Sequence, residues 1–129
     1  MYGQNTNLQA NFEEIIPLKM TEDVKHILVL STCPGSISAK KMAQELVTEK
    51  LAACVNVIPG VQSFFSWVGK VDTANEHMLV IKTTRDRYPA LEKKIKKIHP
   101  YELPEIIAVP IETGLAGYLN WITKNTEKS

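Results

Sequence analysis

From residue 26 onward the hydrophobic positions of this chain follow recognisable periods, and each period predicts an element. ILVLST (27–32) is a short apolar run closed by Cys33-Pro34-Gly35, which reads as a strand followed by a break. Met42, Ala43, Leu46, Val47 and Leu51 then recur at helical spacing, with Lys40, Lys41, Glu45 and Glu49 pointing elsewhere. Ser36 is the expected N-cap of this helix, which reaches about residue 50.

ACVNVIPGVQSFFSWVG (53–69) is long for one strand, and Pro59-Gly60 in its middle predicts a bend or bulge. A turn is expected at 71–75, leading into HMLVIKTT (77–84). That strand carries Met78 and Val80 on one face and Leu79 and Ile81 on the other. A strand apolar on both faces is covered on both. Helices cover one face of a small sheet, so the pattern points to self-association.

A second helix is expected over 86–99, with Tyr88, Leu91, Ile95 and Ile98 on one side and Pro89 in its first turn. Lys93, Lys94, Lys96 and Lys97 crowd its last turns, where cations suit the helix dipole, and they read as a solvated face. EIIAVPI (105–111) is the last strand, placed at a sheet edge by Pro110. LAGYLNWITK (115–124) closes the chain as a short helix with Leu115, Tyr118, Leu119 and Ile122 on one side.

The order is βαββαβ plus one helix. Its economical solution is an α+β fold, a ferredoxin-like antiparallel sheet with strand order 4-1-3-2, two helices on one face and an extra C-terminal helix. Residues 1–24, rich in Asn, Gln and Glu, are expected to be a flexible arm in which FEEII docks weakly, and 25–129 to be the folded domain.

Composition narrows the functional classes. A chain of 129 residues, 44% hydrophobic, makes one domain with a sizeable core. A net charge of +1 is no footprint for nucleic acid, and no apolar run is long enough to span a membrane. The N-terminal residues lack the basic and apolar regions of a secretory signal. Cys33 and Cys54 form no C-x-x-C motif, so a cytoplasmic location is expected.

The predicted topology places Cys33, Trp67, His77 and the segment HPYELPE (99–105) at one end of the sheet. Cys54 and Lys82 fall toward the other end, so no disulfide is expected within a subunit. Three chemistries compete at the first end. His99 and Cys33 are soft-metal ligands, to which Glu102 or Glu105 could add oxygen, although a closed zinc site wants four ligands. His99 could instead be an acid–base group oriented by Tyr101, Glu102 and Glu105, but no nucleophile motif accompanies it. A pocket without chemistry would have Trp67 and Tyr101 as walls, with His99, Glu102, Glu105 and Lys82 as polar contacts. Local geometry accounts for the prolines without any of these: Pro100 ends the helix at His99, and Pro104 extends Leu103 toward the last strand.

KLAACVNVIPG, the W-x-G-K pattern at 67–70, IKT at 81–83 and HPY-x-x-PE at 99–105 occur here in one order. Together they resemble the CutA family of divalent-cation-tolerance proteins, and the resemblance runs from about residue 26 to 125. It implies a ferredoxin-like subunit in a homotrimer, architecturally similar to PII-type signalling trimers. It also implies a link to copper and other divalent ions, with no enzymatic activity. His99 matches the histidine of a copper site in a bacterial member; that site's other two positions hold Ile98 and Ser31 here, with Cys33 two residues on. Val68 stands where the family usually has glutamate.

The expected function is divalent metal ion tolerance by a homotrimer. Cu(II) or another divalent ion would be bound weakly at His99 and Cys33 and not needed for folding. Trp67, Lys82, Tyr101, Glu102 and Glu105 would line the pocket. The alternative is a PII-like sensor holding a small molecule between subunits.

Overall fold

The computed structural model describes residues 24–128; apart from Val24, the arm expected over 1–24 lies outside them. Four strands, β1 (His26–Cys33), β2 (Cys54–Trp67), β3 (Lys70–Thr84) and β4 (Ile107–Pro110), form one antiparallel sheet ordered β2-β3-β1-β4. Three helices accompany them: α1 (Ser36–Thr48), α2 (Tyr88–Ile98) and α3 (Ala116–Lys124). This is the expected ferredoxin-like topology.

Strand alternation sorts the sheet into two faces. Ile27, Val29, Ser31 and Cys33 of β1 and Leu79, Ile81 and Thr83 of β3 are buried on one face. There they meet Ala39, Met42 and Leu46 of α1 and Leu91 and Ile95 of α2, all with essentially no exposure. Each Val, Leu, Ile or Met side chain among them contributes about 1.5–3 kcal/mol on removal from water, so this layer dominates the stability. The opposite face carries His26, Leu28, Met78, Val80 and Lys82. At one end of it lies α3: His26 Nε2 is 2.8 Å from Thr123 Oγ1, and the Lys82 ammonium sits 5.8 Å from the Tyr118 ring centre. Burial and the neighbouring Lys25 charge lower the pKa of His26. Met78 and Val80 remain only half-buried.

Several boundaries differ from the sequence reading, for local reasons. Gly35, in extended geometry, is the cap residue of α1 and Ser36 is its first helical residue, with no side-chain cap bond. Val47, expected on the apolar face, is 42% exposed, while Ala39 takes the core position a turn before Met42. The second helix begins with a 3₁₀ turn (Arg85–Arg87), and its first α turn holds Pro89. It stops at His99, whose extended backbone is what Pro100 requires.

The largest difference is at the hairpin. Pairing between β2 and β3 runs to Trp67↔Lys70, so the turn is Val68-Gly69 and the expected turn at 71–75 is regular strand. Both turn residues have positive φ, 50° at Val68 and 75° at Gly69, the geometry that joins twisted strands in a two-residue hairpin. The polar residues Asp72 and Asn75 had mimicked a turn, but pairing along the whole arm overrides their preference. Pro59-Gly60 does form the expected irregularity, a register shift between Ile58 and Val61 with φ +77° at Gly60.

Val68 is a β-branched residue in left-handed geometry, a conformation that costs about 1–2 kcal/mol in a non-glycine residue. It is 85% exposed, so little packing offsets that cost. Val68→Asn is therefore expected to stabilise the protein by about 1 kcal/mol, because Asn-Gly suits this turn. Thermal unfolding at fixed chain concentration checks it, and an unchanged or lower midpoint would refute it.

Candidate functional site

Pro100 and Pro104 stop α2 and carry the chain across to β4, and this connector brings His99 against the last residues of β1. His99 is 8% exposed. Its Nε2 is 2.8 Å from the Thr32 carbonyl oxygen, and its Nδ1 accepts a bond from the Tyr101 backbone N–H at 3.0 Å. A carbonyl can only accept and an N–H can only donate, so the pair of bonds selects the Nε2–H tautomer. The lone pair on Nδ1 is thus already engaged. The ring also packs on Tyr101, with centroids 5.0 Å apart.

Tyr101 extends the network. Its hydroxyl donates to Glu76 Oε2 at 3.0 Å, and Glu76 is a buried carboxylate on β3. Burial and this bond push the Tyr101 pKa up to about 12, which keeps the hydroxyl a donor. Cys33 lies beside Thr32 but faces the other way, into the helix layer, where its thiol is 3.4 Å from the Met42 sulfur. Burial, with the Glu76 charge adding to it, pushes the Cys33 pKa up to about 11, so the thiolate form that binds metal is disfavoured at neutral pH. Ser31 Oγ, also fully buried, has no hydrogen-bond partner among the described residues.

The structure therefore gathers His99, Tyr101 and Cys33 at one end of the sheet, with Glu102 and Glu105 exposed on the connector. It does not bring the other two expected residues there. Trp67 pairs with Lys70 at the tip of the β2–β3 hairpin, six residues beyond Glu76, or roughly 20 Å along the arm. The hairpin runs past the helices, and the topology used to group Trp67 with His99 took no account of its length. Lys82 pairs with Cys54 and Leu28 toward the other end and points to Tyr118. Glu76 is the residue that sequence reasoning missed. Its signal was a carboxylate directly before an apolar strand core, a place where burial requires a partner.

Among the described residues no three His, Cys, Asp or Glu side chains lie close enough to share a metal ion. No described helix is long and apolar enough to cross a membrane. The hairpin arm presents apolar side chains on both of its faces. Phe64 and Val71 (66% and 77% exposed) project from one side, and Phe65 and Trp67 (40% and 64%) from the other.

Residues 27–125 match the family model described as CutA1 divalent ion tolerance protein. The chain is 44% identical over 99 residues to the divalent-cation tolerance protein CutA of Thermus thermophilus, an alignment covering 77% of this chain and 96% of that protein. It is 42% identical over 106 residues to the chloroplastic CutA 1 of rice, covering 82% of this chain but only 60% of that longer protein. Among solved structures it is similar to CutA from Xylella fastidiosa, with a TM-score of 0.78 at 42% identity over 79% of this chain and 98% of that one.

Proposed function

We propose, since this chain belongs to the CutA1 divalent ion tolerance family, that it acts in divalent metal ion tolerance as a homotrimer. The ion, Cu(II) or a similar divalent cation, is the cargo of this process. It is bound weakly and exchangeably at the connector end of each subunit, near a subunit boundary. The family match carries the reading, and the uncovered apolar arm supports the assembly.

The donor set supports low affinity. Glu102 and Glu105 are exposed carboxylates that a cation reaches without rearrangement. His99 adds an imidazole only if Tyr101 N–H releases Nδ1, so coordination there costs a hydrogen bond. Cys33 contributes through packing, since both burial and its raised pKa oppose a thiolate. Within one chain no group of even three such ligands is found among the described residues, short of the four of a closed site.

Calorimetric titration of chelator-free protein with Cu(II) and Zn(II) at pH 7 tests this. Weak binding is expected, reduced several-fold by Glu102→Gln with Glu105→Gln. Binding untouched by that pair, or no binding in the parent protein, would overturn the site.

A further inference from the structure

A groove of about 430 Å³ lies on the side of the molecule remote from His99, along the edge strand β4. It is lined by Val24, Ile27 and Ala108, by Tyr88 and Pro89 at the start of α2, and by Arg85. Its size is at the lower end of the roughly 300–1,000 Å³ typical of ligand pockets, yet its lining is almost wholly apolar. Such a surface is stabilised by an apolar occupant rather than by water.

We infer that this groove is the seat of the chain's own segment 12–18, FEEIIPL, folded back onto the domain. Three observations converge on that occupant. Val24, where the described chain starts, itself lines the groove, so the segment is joined to the chain at the groove. Leu18 lies six residues before Val24, a reach of up to about 20 Å, enough to return over β4. Phe12, Ile15, Ile16 and Leu18 are the chief cluster of large apolar side chains in the first 23 residues. Charge agrees as well: Glu13 and Glu14 stand within the segment, and Arg85 and the neighbouring Lys25 are exposed beside the groove. Among the described residues neither cation has a carboxylate partner. Pro17 also biases Ile16 toward extended geometry, which suits a segment lying along an edge strand. The entry point is fixed, because Arg85 N–H donates to the Lys25 carbonyl at 2.8 Å and Ile111 N–H to that of His26 at 2.9 Å.

Seating the segment would cover apolar surface on one side of β4, next to the strand edge that could otherwise pair with foreign chains. It makes the N-terminal residues an intramolecular strap, and it does not depend on the cation reading.

Disulfide trapping in the full chain tests it. In a Cys54→Ser background, Ile15→Cys with Ala108→Cys should oxidise to a bond within one chain. The rate should be at least tenfold that of a control pairing Asn5→Cys with Ala108→Cys. Equal rates for the two pairs would overturn the proposal. So would a bond that joins two chains, which would make a second copy the occupant. Hydrogen exchange on the parent protein is the independent arm. Amides of 12–18 should exchange at least tenfold more slowly than those of 2–8, and Ala108→Arg should remove the difference. Uniform exchange across 2–18 would equally overturn it.

Discussion

His99→Ala is expected to lower the unfolding free energy by about 2–4 kcal/mol, among the largest effects of any single substitution outside the helix-covered core. The ring spans two elements that share no backbone bond, taking the Thr32 carbonyl at one nitrogen and the Tyr101 N–H at the other. Alanine removes both bonds and leaves both groups without their partner. It also opens a space under Tyr101, whose ring packs on the imidazole and whose hydroxyl holds the buried Glu76. A polar group left unsatisfied costs about 1–3 kcal/mol, so the loss should exceed that of an ordinary hydrogen bond. Urea unfolding at fixed chain concentration measures it, as a lower midpoint with an unchanged slope. Tyr101→Phe should cost less, because it strands Glu76 but spares the bonds to His99. If His99→Ala lowers stability by less than about 1 kcal/mol, the network is not what closes this end of the sheet.

The second large effect concerns the hairpin arm. Phe64→Lys with Trp67→Lys is expected to convert the proposed homotrimer to monomers, read by sedimentation as a drop from three times the chain mass to one. These residues project from opposite faces of the same arm, so a partner that covers the arm meets one or both of them. A lysine on each face forces a charge into the contact, and an unpaired buried charge costs several kcal/mol. Since both side chains are exposed in the single subunit, the substitutions should leave the subunit's own fold intact, with an unchanged far-ultraviolet spectrum. A double variant that sediments like its parent would show that the arm is not the assembly surface. The same variant separates assembly from cation contact: weak binding that survives in monomers would place Glu102 and Glu105 of one chain at the site without help from a neighbour.

The apolar periods determined the element order and most of the core, and the βαββαβ order then implied the sheet order. Residues at positions 27 and 29, 79 and 81, and 42, 46, 91 and 95 are buried because spacing of two and of three to four leaves each element one way to hide them. The prolines were equally legible: Pro100 restricts the residue before it wherever it occurs, so the end of α2 at His99 needed no tertiary information. The grouping of Cys33, His99 and Tyr101 at one end followed from topology.

What spacing could not supply was direction and extent. Cys33 and Thr32 are neighbours in sequence, yet only the packed sheet shows that the thiol enters the helix layer while the Thr32 carbonyl receives His99. The length of the β2–β3 arm was likewise hidden. Backbone pairing along every residue from Val61 to Trp67 outweighs the turn preference of Asp72 and Asn75, and the gain comes from the partner strand rather than from local sequence. That same pairing carries Trp67 away from His99 and exposes it at the arm. The sequence thus determined which residues must be buried and which must end a helix. Tertiary structure decided which polar atoms meet, because hydrogen bonds are satisfied by position in space and burial makes an unsatisfied one costly.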